Sequence, residues 1–133
     1  MYRCLIVEDD PLVAKLNATY LAQEGFLVSA VAADASQALA AMEEQTFDLV
    51  LLDVFLPGMN GLELLRRLRA TQQTSEVIII SAARDSAQIC EALRLGCVDY
   101  IIKPFSPDRL HLALEKYRQR SLLMRKSFLE QRE

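Results

Sequence analysis

The chain has 133 residues, of which 52% are hydrophobic and 25% charged, with 15 lysines and arginines against 18 aspartates and glutamates. This length suits one domain and excludes two ordinary ones, and the composition excludes a disordered tail. The net charge of −3 argues against binding of nucleic acid or an anionic membrane through bulk electrostatics.

The cysteines and the start of the chain indicate the compartment. Cys4, Cys90 and Cys97 lie among apolar neighbours and lack metal-ligand spacing, so we expect all three to be buried and reduced. The chain starts without a basic and apolar leader, and no apolar run approaches the roughly 20 residues that span a bilayer. We therefore expect a cytoplasmic protein that does not bind membranes.

Short apolar runs alternate along the chain with segments of helical periodicity. The runs predict strands at 2–7, 27–32, 47–52, 77–80 and 98–102. Such runs are typical of strands covered on both faces, and a helical segment follows each one. Because crossovers between parallel strands are right-handed, the pattern predicts an α/β fold with a five-stranded, parallel, doubly wound sheet.

Start signals and apolar spacing predict the helices. Asp10, followed by proline, is a typical N-cap, and Val13, Leu16 and Tyr20 repeat at helical spacing after it. These three side chains are therefore the predicted apolar face of the first helix. Further helices are predicted at 34–44, at 62–69, before Gly96, and from about 106 onward.

Polar side chains follow the inner strands at the points where these strands end: Glu8, Asp9 and Asp10, then Asp53, Ser81 and Lys103. In a doubly wound sheet, functional groups gather at the carboxyl ends of the strands. Converging carboxylates repel one another and call for a cation, and an all-oxygen ligand set suits Mg²⁺. With a lysine and a hydroxyl, such a site stabilises a phosphoryl group during transfer. Asp53 would then be the nucleophile that forms an aspartyl phosphate.

Taken singly, each of these residues has an ordinary structural explanation. Asp10 is a helix cap, a lysine before proline is common in solvated loops, and a serine often follows a strand. Their joint placement at four strand ends favours a functional site.

At these positions the chain resembles the receiver domain of two-component response regulators. The matching segments are LIVEDD at 5–10, LLD at 51–53, LPGMNG at 56–61, SA at 81–82 and YIIKPF at 100–105. The resemblance implies a flavodoxin-like sheet with the strand order 2-1-3-4-5 and five helices.

The resemblance also implies a metal site and a phosphoacceptor. Asp53 would accept the phosphoryl group, and Mg²⁺ would be the cofactor. Asp9, Asp53 and the backbone carbonyl of Phe55 would bind the ion directly, while Glu8 would act through water. Glu8 replaces the commoner aspartate, and its extra methylene changes the distance to the water shell of the metal.

A switch is implied by the same resemblance. Ser81, in place of the commoner threonine, would be the switch hydroxyl and Tyr100 the switch aromatic. Lys103 would pair with the phosphoryl group, and its peptide bond to Pro104 would be cis. Movement of Ser81 would let Tyr100 turn inward and change the face formed by helix 4, strand 5 and helix 5.

The function implied is phosphorylation of Asp53 by a sensor histidine kinase, which controls an output such as transcription. The domain would catalyse only its own phosphorylation and dephosphorylation, so we do not expect an enzyme in the usual sense. One alternative is a stand-alone receiver that acts by protein–protein interaction. Others are a Mg²⁺-dependent aspartyl-phosphate phosphatase and a flavin- or nucleotide-binding module, but the DxD motif and the glycine-rich loop these need are missing after the first strand.

The C-terminal part of the chain is longer than the fold needs. No glycine or proline follows Pro107, so the last helix is predicted to be extended, roughly 40 Å long at 1.5 Å per residue. We expect a receiver domain at 1–118 and a helical linker at 119–133, with His111 on the surface. The linker carries leucines at 122, 123 and 129, and a heptad-like series includes Leu110, Leu114, Tyr117, Ser121, Met124 and Phe128.

Two explanations fit this apolar extension. One is a homodimer through the C-terminal helix or through the face of helix 4, strand 5 and helix 5. The other is a linker towards an output domain. The segments at 13–17 and 98–105 are similar to those of transcriptional regulators that respond to citrate and dicarboxylates, in which a helix-turn-helix domain follows the receiver. DNA binding would then belong only to an output domain absent from these residues.

Overall fold

The five apolar runs form one parallel sheet. The strands are β1 (Arg3–Val7), β2 (Leu27–Ala32), β3 (Leu49–Asp53), β4 (Glu76–Ser81) and β5 (Asp99–Ile102). Their order is β2-β1-β3-β4-β5, which confirms the predicted α/β fold and strand order. The computed structural model describes residues 1–71 and 73–132, and all of their side chains except those of 128, 131 and 132.

Five helices connect and follow the strands. They are α1 (Pro11–Gln23), α2 (Ala35–Glu44), α3 (Gly61–Ala70), α4 (Ser86–Arg94) and α5 (Pro107–Arg132). Each of the first four begins after an aspartate or asparagine whose side chain accepts a hydrogen bond from a first-turn N–H: Asp10, Asp34, Asn60 and Asp85. These caps satisfy N–H groups that have no partner inside the helix, so they define where each helix starts.

The sheet separates two apolar layers. Successive strand residues point to opposite faces, so Leu5 packs in the layer of α2, α3 and α4, while Ile6 packs in the layer of α1 and α5. Both layers are closed by small or branched side chains such as Ala38 and Leu114. The strands are therefore covered on both faces, as their continuous apolar runs predicted.

The apolar spacing of α1 does not mark its buried face. Its buried residues are Ala14, Asn17 and Leu21, whereas Leu16, one of the three apolar residues at helical spacing, is 50% exposed. This helix carries apolar side chains on more than one face, so spacing alone does not determine which face packs on the sheet. The result is a helix that exposes a leucine and buries an asparagine.

The prediction for the cysteines is right for two of the three. Cys4 and Cys97 are buried, but Cys90 is exposed; it belongs to α4, in which only Ala92 is buried. Burial raises the pKa of the Cys4 thiol to about 12 and that of the Cys97 thiol to about 11. The two buried thiols therefore act as small apolar side chains.

The last helix, α5, has 26 residues. Its first half buries four side chains against the sheet, Leu110, Ala113, Leu114 and Tyr117, and its second half exposes Leu122, Leu123, Met124 and Leu129. The predicted extension is therefore present, although the Phe128 side chain and Glu133 lie outside the described residues. Within the described part of the chain, no helix is long and apolar enough to cross a membrane.

Candidate functional site

The carboxyl ends of β1, β3, β4 and β5 bring the predicted site residues to one edge of the sheet. Glu8 and Asp9 follow β1, Asp53 and Ser81 end β3 and β4, and Lys103 follows β5. Strand β2 lies at the outer edge, next to β1. The polar residues therefore cluster where the strand order reverses, which is where open α/β sheets place their binding sites.

Three carboxylates meet at this edge. Glu8, Asp9 and Asp53 each offer an oxygen within 4.8 Å of the other two. Glu8 and Asp53 are buried, while Asp9 is exposed, so the cluster opens to solvent on the Asp9 side. Oxygen ligands of this kind, with one side open to water, suit Mg²⁺, which retains several of its waters when bound.

The turn after β3 orients the Asp53 side chain. The backbone N–H of Phe55 donates to Asp53 Oδ1 over 3.0 Å, while the Phe55 side chain is half exposed. The predicted use of the Phe55 carbonyl as a metal ligand stays a prediction. The observed hydrogen bond leaves Asp53 Oδ2 free to face the other strand ends.

Lys103 is the cation of the site. Its Nζ lies 2.8 Å from Asp53 Oδ2 and 3.2 Å from Glu8 Oε1. Burial lowers the pKa of Lys103, but the hydrogen bond and the charge of Asp53, with those of Glu8, outweigh burial and raise this pKa overall. Lys103 therefore remains charged and neutralises part of the acidic cluster.

The surroundings of Glu8 act on its pKa in both directions. Burial raises its pKa most strongly, the hydrogen bond from the Asp10 N–H lowers it, and the charge of Asp53 raises it again. The net effect is a raised pKa. A divalent cation near Asp9 would favour the ionised form of Glu8, which is the form that can hold metal-bound water.

The two predicted switch residues meet at Ala83. Ser81 is fully buried, and its hydroxyl accepts a hydrogen bond of 3.0 Å from the Ala83 N–H. Tyr100 is 7% exposed, and its hydroxyl donates to the Ala83 carbonyl over 3.3 Å. The tyrosine is thus already turned inward in this structure, and the shared contact with Ala83 was not predicted from sequence.

The predicted turn after β5 is also present. The Lys103–Pro104 peptide bond is cis, and the Lys103 N–H donates to the Ser81 carbonyl over 2.9 Å. The backbone that carries the lysine is therefore attached directly to the end of β4.

Gly61 positions the site in a way that sequence reasoning missed. A Cβ at this residue would lie 2.5 Å from the Asp53 carbonyl oxygen and 2.7 Å from the Val54 Cα. The Gly61 N–H donates to the Val54 carbonyl over 2.8 Å. The start of α3 thus packs directly on the strand end that carries Asp53, whereas the Asn60–Gly61 pair was interpreted only as a loop signal and as part of the matching segment 56–61.

An apolar groove of about 500 Å³ lies beside Lys103. Val13, Leu16 and Tyr20 of α1 form one wall, and Phe105 belongs to the other. The three apolar residues of α1 that repeat at helical spacing therefore line a groove next to Lys103. His111 lies elsewhere, exposed as predicted, with its Nδ1 2.8 Å from Glu24 Oε2.

Comparisons with known proteins agree with this geometry. The family model described as "response regulator receiver domain" matches residues 4–115. The chain belongs to the response regulator receiver family. The resemblance inferred from its motifs is thereby confirmed.

Curated relatives of this receiver domain include transcriptional regulators. It is 48% identical over 121 residues to the transcriptional regulatory protein MalR of Bacillus subtilis, covering 90% of this chain and 52% of that protein. It is 38% identical over 119 residues to the probable C4-dicarboxylate response regulator DctR of the same organism, covering 89% and 53%. The receiver domain thus spans about half the length of these relatives.

A solved structure with bound ligands is also similar. The crystal structure of a CheX–CheY–BeF3–Mg²⁺ complex from Borrelia burgdorferi matches with a TM-score of 0.80 and 26% identity, over 85% of this chain and 86% of that chain. That complex contains both Mg²⁺ and beryllium fluoride. An all-oxygen cluster such as Glu8, Asp9 and Asp53 is the kind of ligand set that Mg²⁺ prefers.

Proposed function

We propose that this receiver domain accepts a phosphoryl group from a histidine kinase on Asp53, with Mg²⁺, and thereby controls transcription. The observation that carries the proposal is the convergence of Glu8, Asp9 and Asp53 within 4.8 Å, with Lys103 Nζ 2.8 Å from Asp53. A nucleophilic carboxylate, a cation site and a mobile positive charge are the parts that phosphoryl transfer needs.

Each residue of the site would have its own role in phosphoryl transfer. An Asp53 oxygen would attack phosphorus while the bond to the histidine nitrogen of the kinase breaks, and the imidazole would leave with the electron pair. Asp9, Asp53 and the Phe55 carbonyl would hold Mg²⁺, and Glu8 would hold one of its waters. Mg²⁺ supplies positive charge at the phosphoryl oxygens when it is bound.

Lys103 would change partners during the reaction. It neutralises Asp53 and Glu8 before transfer, and a phosphoryl oxygen would offer it a more highly charged partner afterwards. Because its stem ends in a compact ammonium on a flexible chain, the lysine can follow the new oxygen without rearrangement of the backbone. The receiver would in this way catalyse only its own modification and the later hydrolysis.

The switch would start at Ser81. Its hydroxyl would leave the Ala83 N–H and donate to a phosphoryl oxygen, and the segment that holds the inward Tyr100 through the Ala83 carbonyl would move with it. The face formed by α4, β5 and α5 would then change its shape or its mobility. We propose this face as the surface that reports phosphorylation.

The relatives indicate the system that the domain serves. We propose a sensor kinase that responds to C4-dicarboxylates, and an output domain that binds DNA, because one relative is named a probable C4-dicarboxylate response regulator and another a transcriptional regulatory protein. Residues 119–133 would be the helical linker towards that output domain. The exposed leucines of residues 119–133 would also allow a homodimer through the C-terminal helix or the adjacent α4–β5–α5 face.

The test is chemical phosphorylation without a kinase. Incubation with phosphoramidate and Mg²⁺ should add one phosphoryl group, measured by intact-protein mass spectrometry. The Asp53→Asn variant should remain unmodified, whereas the control Asp108→Asn, on the exposed first turn of α5, should be modified like the wild type. Unchanged labelling of Asp53→Asn would reject the proposed acceptor.

A further inference from the structure

Strand β5 begins with a buried acid that two basic residues of α5 hold. Asp99 is 7% exposed. Arg109 binds it with both ends of its guanidinium, Nη1 to Oδ2 over 2.7 Å and Nη2 to Oδ1 over 2.9 Å. Lys116 approaches the same carboxylate at 3.3 Å. The fork geometry of Arg109 fixes its direction, which the single contact of Lys116 does not.

The side chains of Asp99 and Arg109 also bind the backbone of Tyr100. Asp99 Oδ1 accepts a hydrogen bond of 2.9 Å from the Tyr100 N–H. Arg109 Nη2 donates to the Tyr100 carbonyl over 3.3 Å. Both polar backbone groups of the switch tyrosine are therefore attached to the Arg109–Asp99 pair.

The pair is stronger than an exposed ion pair. Burial raises the pKa of Asp99, but the hydrogen bonds and charge of Arg109 outweigh burial and hold this pKa below its usual value. Arg109 is about one-third exposed, while Lys116 is more than half exposed. A bidentate pair with one buried partner resists rearrangement more than a solvated contact does.

Apart from these, α5 makes apolar contacts and polar contacts with elements other than β5, including those of His111 and Arg118 with Glu24. Leu110, Leu114 and Tyr117 pack through apolar surfaces, which have no directional preference. Ser121 accepts a hydrogen bond from the Tyr2 hydroxyl, and Arg120 approaches Glu76 at 3.3 Å. Among the described residues, the polar side-chain contacts from α5 to β5 are those of Arg109 and Lys116.

We infer that Arg109 is a positioning residue that couples the backbone position of Tyr100 to α5 and its exposed second half. Because the guanidinium binds the Tyr100 carbonyl, a shift of β5 at Tyr100 would displace Arg109, and the helix would carry this displacement along its 26 residues towards the segment that we propose as the linker. The inference rests on the proposed function, because it takes Tyr100 as the switch aromatic.

The experiment compares wild type with Arg109→Gln and with the matched control Lys116→Gln. Beryllofluoride with Mg²⁺ serves as the phosphoryl mimic, and fluorine NMR measures its binding. Hydrogen exchange with mass spectrometry then measures the response of two segments, the one containing Tyr100 and residues 118–132. The control removes a charge from the same carboxylate without touching Tyr100.

All three proteins should bind beryllofluoride and change exchange around Tyr100. The change at 118–132 should be present in wild type and in Lys116→Gln and should be lost in Arg109→Gln. Arg109→Lys, which keeps the charge but not the fork, should retain only part of it, and this variant replaces Arg109→Gln if the latter does not fold.

The outcomes separate the two proposals. Absence of a bound fluorine signal in wild type would contradict the proposed function. Retained binding with an equal response of 118–132 in wild type and Arg109→Gln would overturn the coupling role alone. The coupling role is likewise overturned if wild type binds the mimic but 118–132 does not respond, or if Lys116→Gln loses the response as fully as Arg109→Gln does.

Discussion

The Lys103 ammonium lies 2.8 Å from the carboxylate of Asp53, the residue we propose as phosphoacceptor. The same nitrogen lies 3.2 Å from Glu8, so one lysine neutralises two buried acids. Before a metal or a phosphoryl group arrives, this contact limits the repulsion among the three carboxylates of the site. The lysine therefore contributes to folding stability as well as to the proposed chemistry.

Removal of this charge should destabilise the chain in the absence of Mg²⁺. Without the Lys103 ammonium, Glu8 and Asp53 would face each other with no cation in a mostly buried site. Because Lys103 is 29% exposed, we expect Lys103→Gln to lose about 2 kcal/mol of unfolding free energy, less than for a fully buried pair. Urea unfolding in EDTA measures this loss, with the exposed Lys126→Gln as control.

The same variant should gain more from Mg²⁺ than the wild type does, because the cation would replace the missing charge. An equal gain in unfolding free energy from Mg²⁺ in both proteins would show that Lys103 and the ion do not share the same carboxylates.

Mg²⁺ should raise the melting temperature of the wild-type chain. At a concentration ten times the dissociation constant, binding to the folded state contributes about 1.4 kcal/mol, which corresponds to several degrees. Asp9→Asn should abolish the shift, because we propose Asp9 as a direct ligand of the ion and its side chain is the one in the carboxylate cluster that is open to solvent. Asp108→Asn, outside this cluster and outside the group of Glu24, His111 and Glu115, should keep it. A full shift in Asp9→Asn would remove Asp9 from the ligand set.

Gly61→Ala should disturb the site through the backbone. The added Cβ would lie 2.5 Å from the Asp53 carbonyl oxygen, so β3 and α3 would have to separate. We expect a loss of about 2 to 3 kcal/mol of unfolding free energy and slower phosphorylation. Gly58→Ala is the matched control, because it has open space around it but a φ of +78°, and should cost only about 1 kcal/mol. Equal losses in both variants would contradict the packing explanation.

The parts of the fold and site that were predictable have local signals. Continuous apolar runs predicted the strands, Asp10 marked the start of α1, and the polar residues at strand ends predicted a shared site. Which face of α1 packs inward was not predictable, because Leu16 and Leu21 are equally apolar and only the shape of the sheet layer selects between them.

Contacts between residues that are distant in sequence were also not predictable from sequence patterns. Asp99 and Arg109 belong to different elements, and nothing in their spacing indicates a bidentate pair. The inward position of Tyr100 depends on the Ala83 carbonyl, which carries no sequence signal at all. Such contacts follow from how the elements pack, and a single sequence contains no direct record of this packing.

Asp99 should make stability depend on pH in the acid range. Its pKa is lowered in the folded chain, so its contribution is complete above the unfolded pKa of about 3.9 and disappears as the pH falls through the lower folded value. Asp99→Asn should therefore be less stable than wild type at neutral pH, by about 2 kcal/mol, and the difference should shrink below about pH 4.

Urea unfolding at several pH values measures this difference, with Asp108→Asn as the exposed control. A constant difference between wild type and Asp99→Asn down to the lowest pH at which both proteins fold would show that the pKa of Asp99 is not lowered.

The boundary between domain and linker lies near Tyr117 if burial determines it. Tyr117 is buried and stacks edge-on against Tyr2, with ring centroids 5.0 Å apart, whereas Leu122 and Leu123 are exposed. A chain that ends after Ser121 keeps the Tyr2–Ser121 hydrogen bond. Its free energy of unfolding should lie within about 1 kcal/mol of that of the full chain, because exposed residues contribute little.

Tyr117→Ala in the full chain should lose about 3 kcal/mol of unfolding free energy, because it leaves a cavity in the layer of α1 and α5. Thermal and urea unfolding of both proteins measure the two effects. A large loss on truncation would show that residues after Ser121 belong to the folded domain and not to a linker.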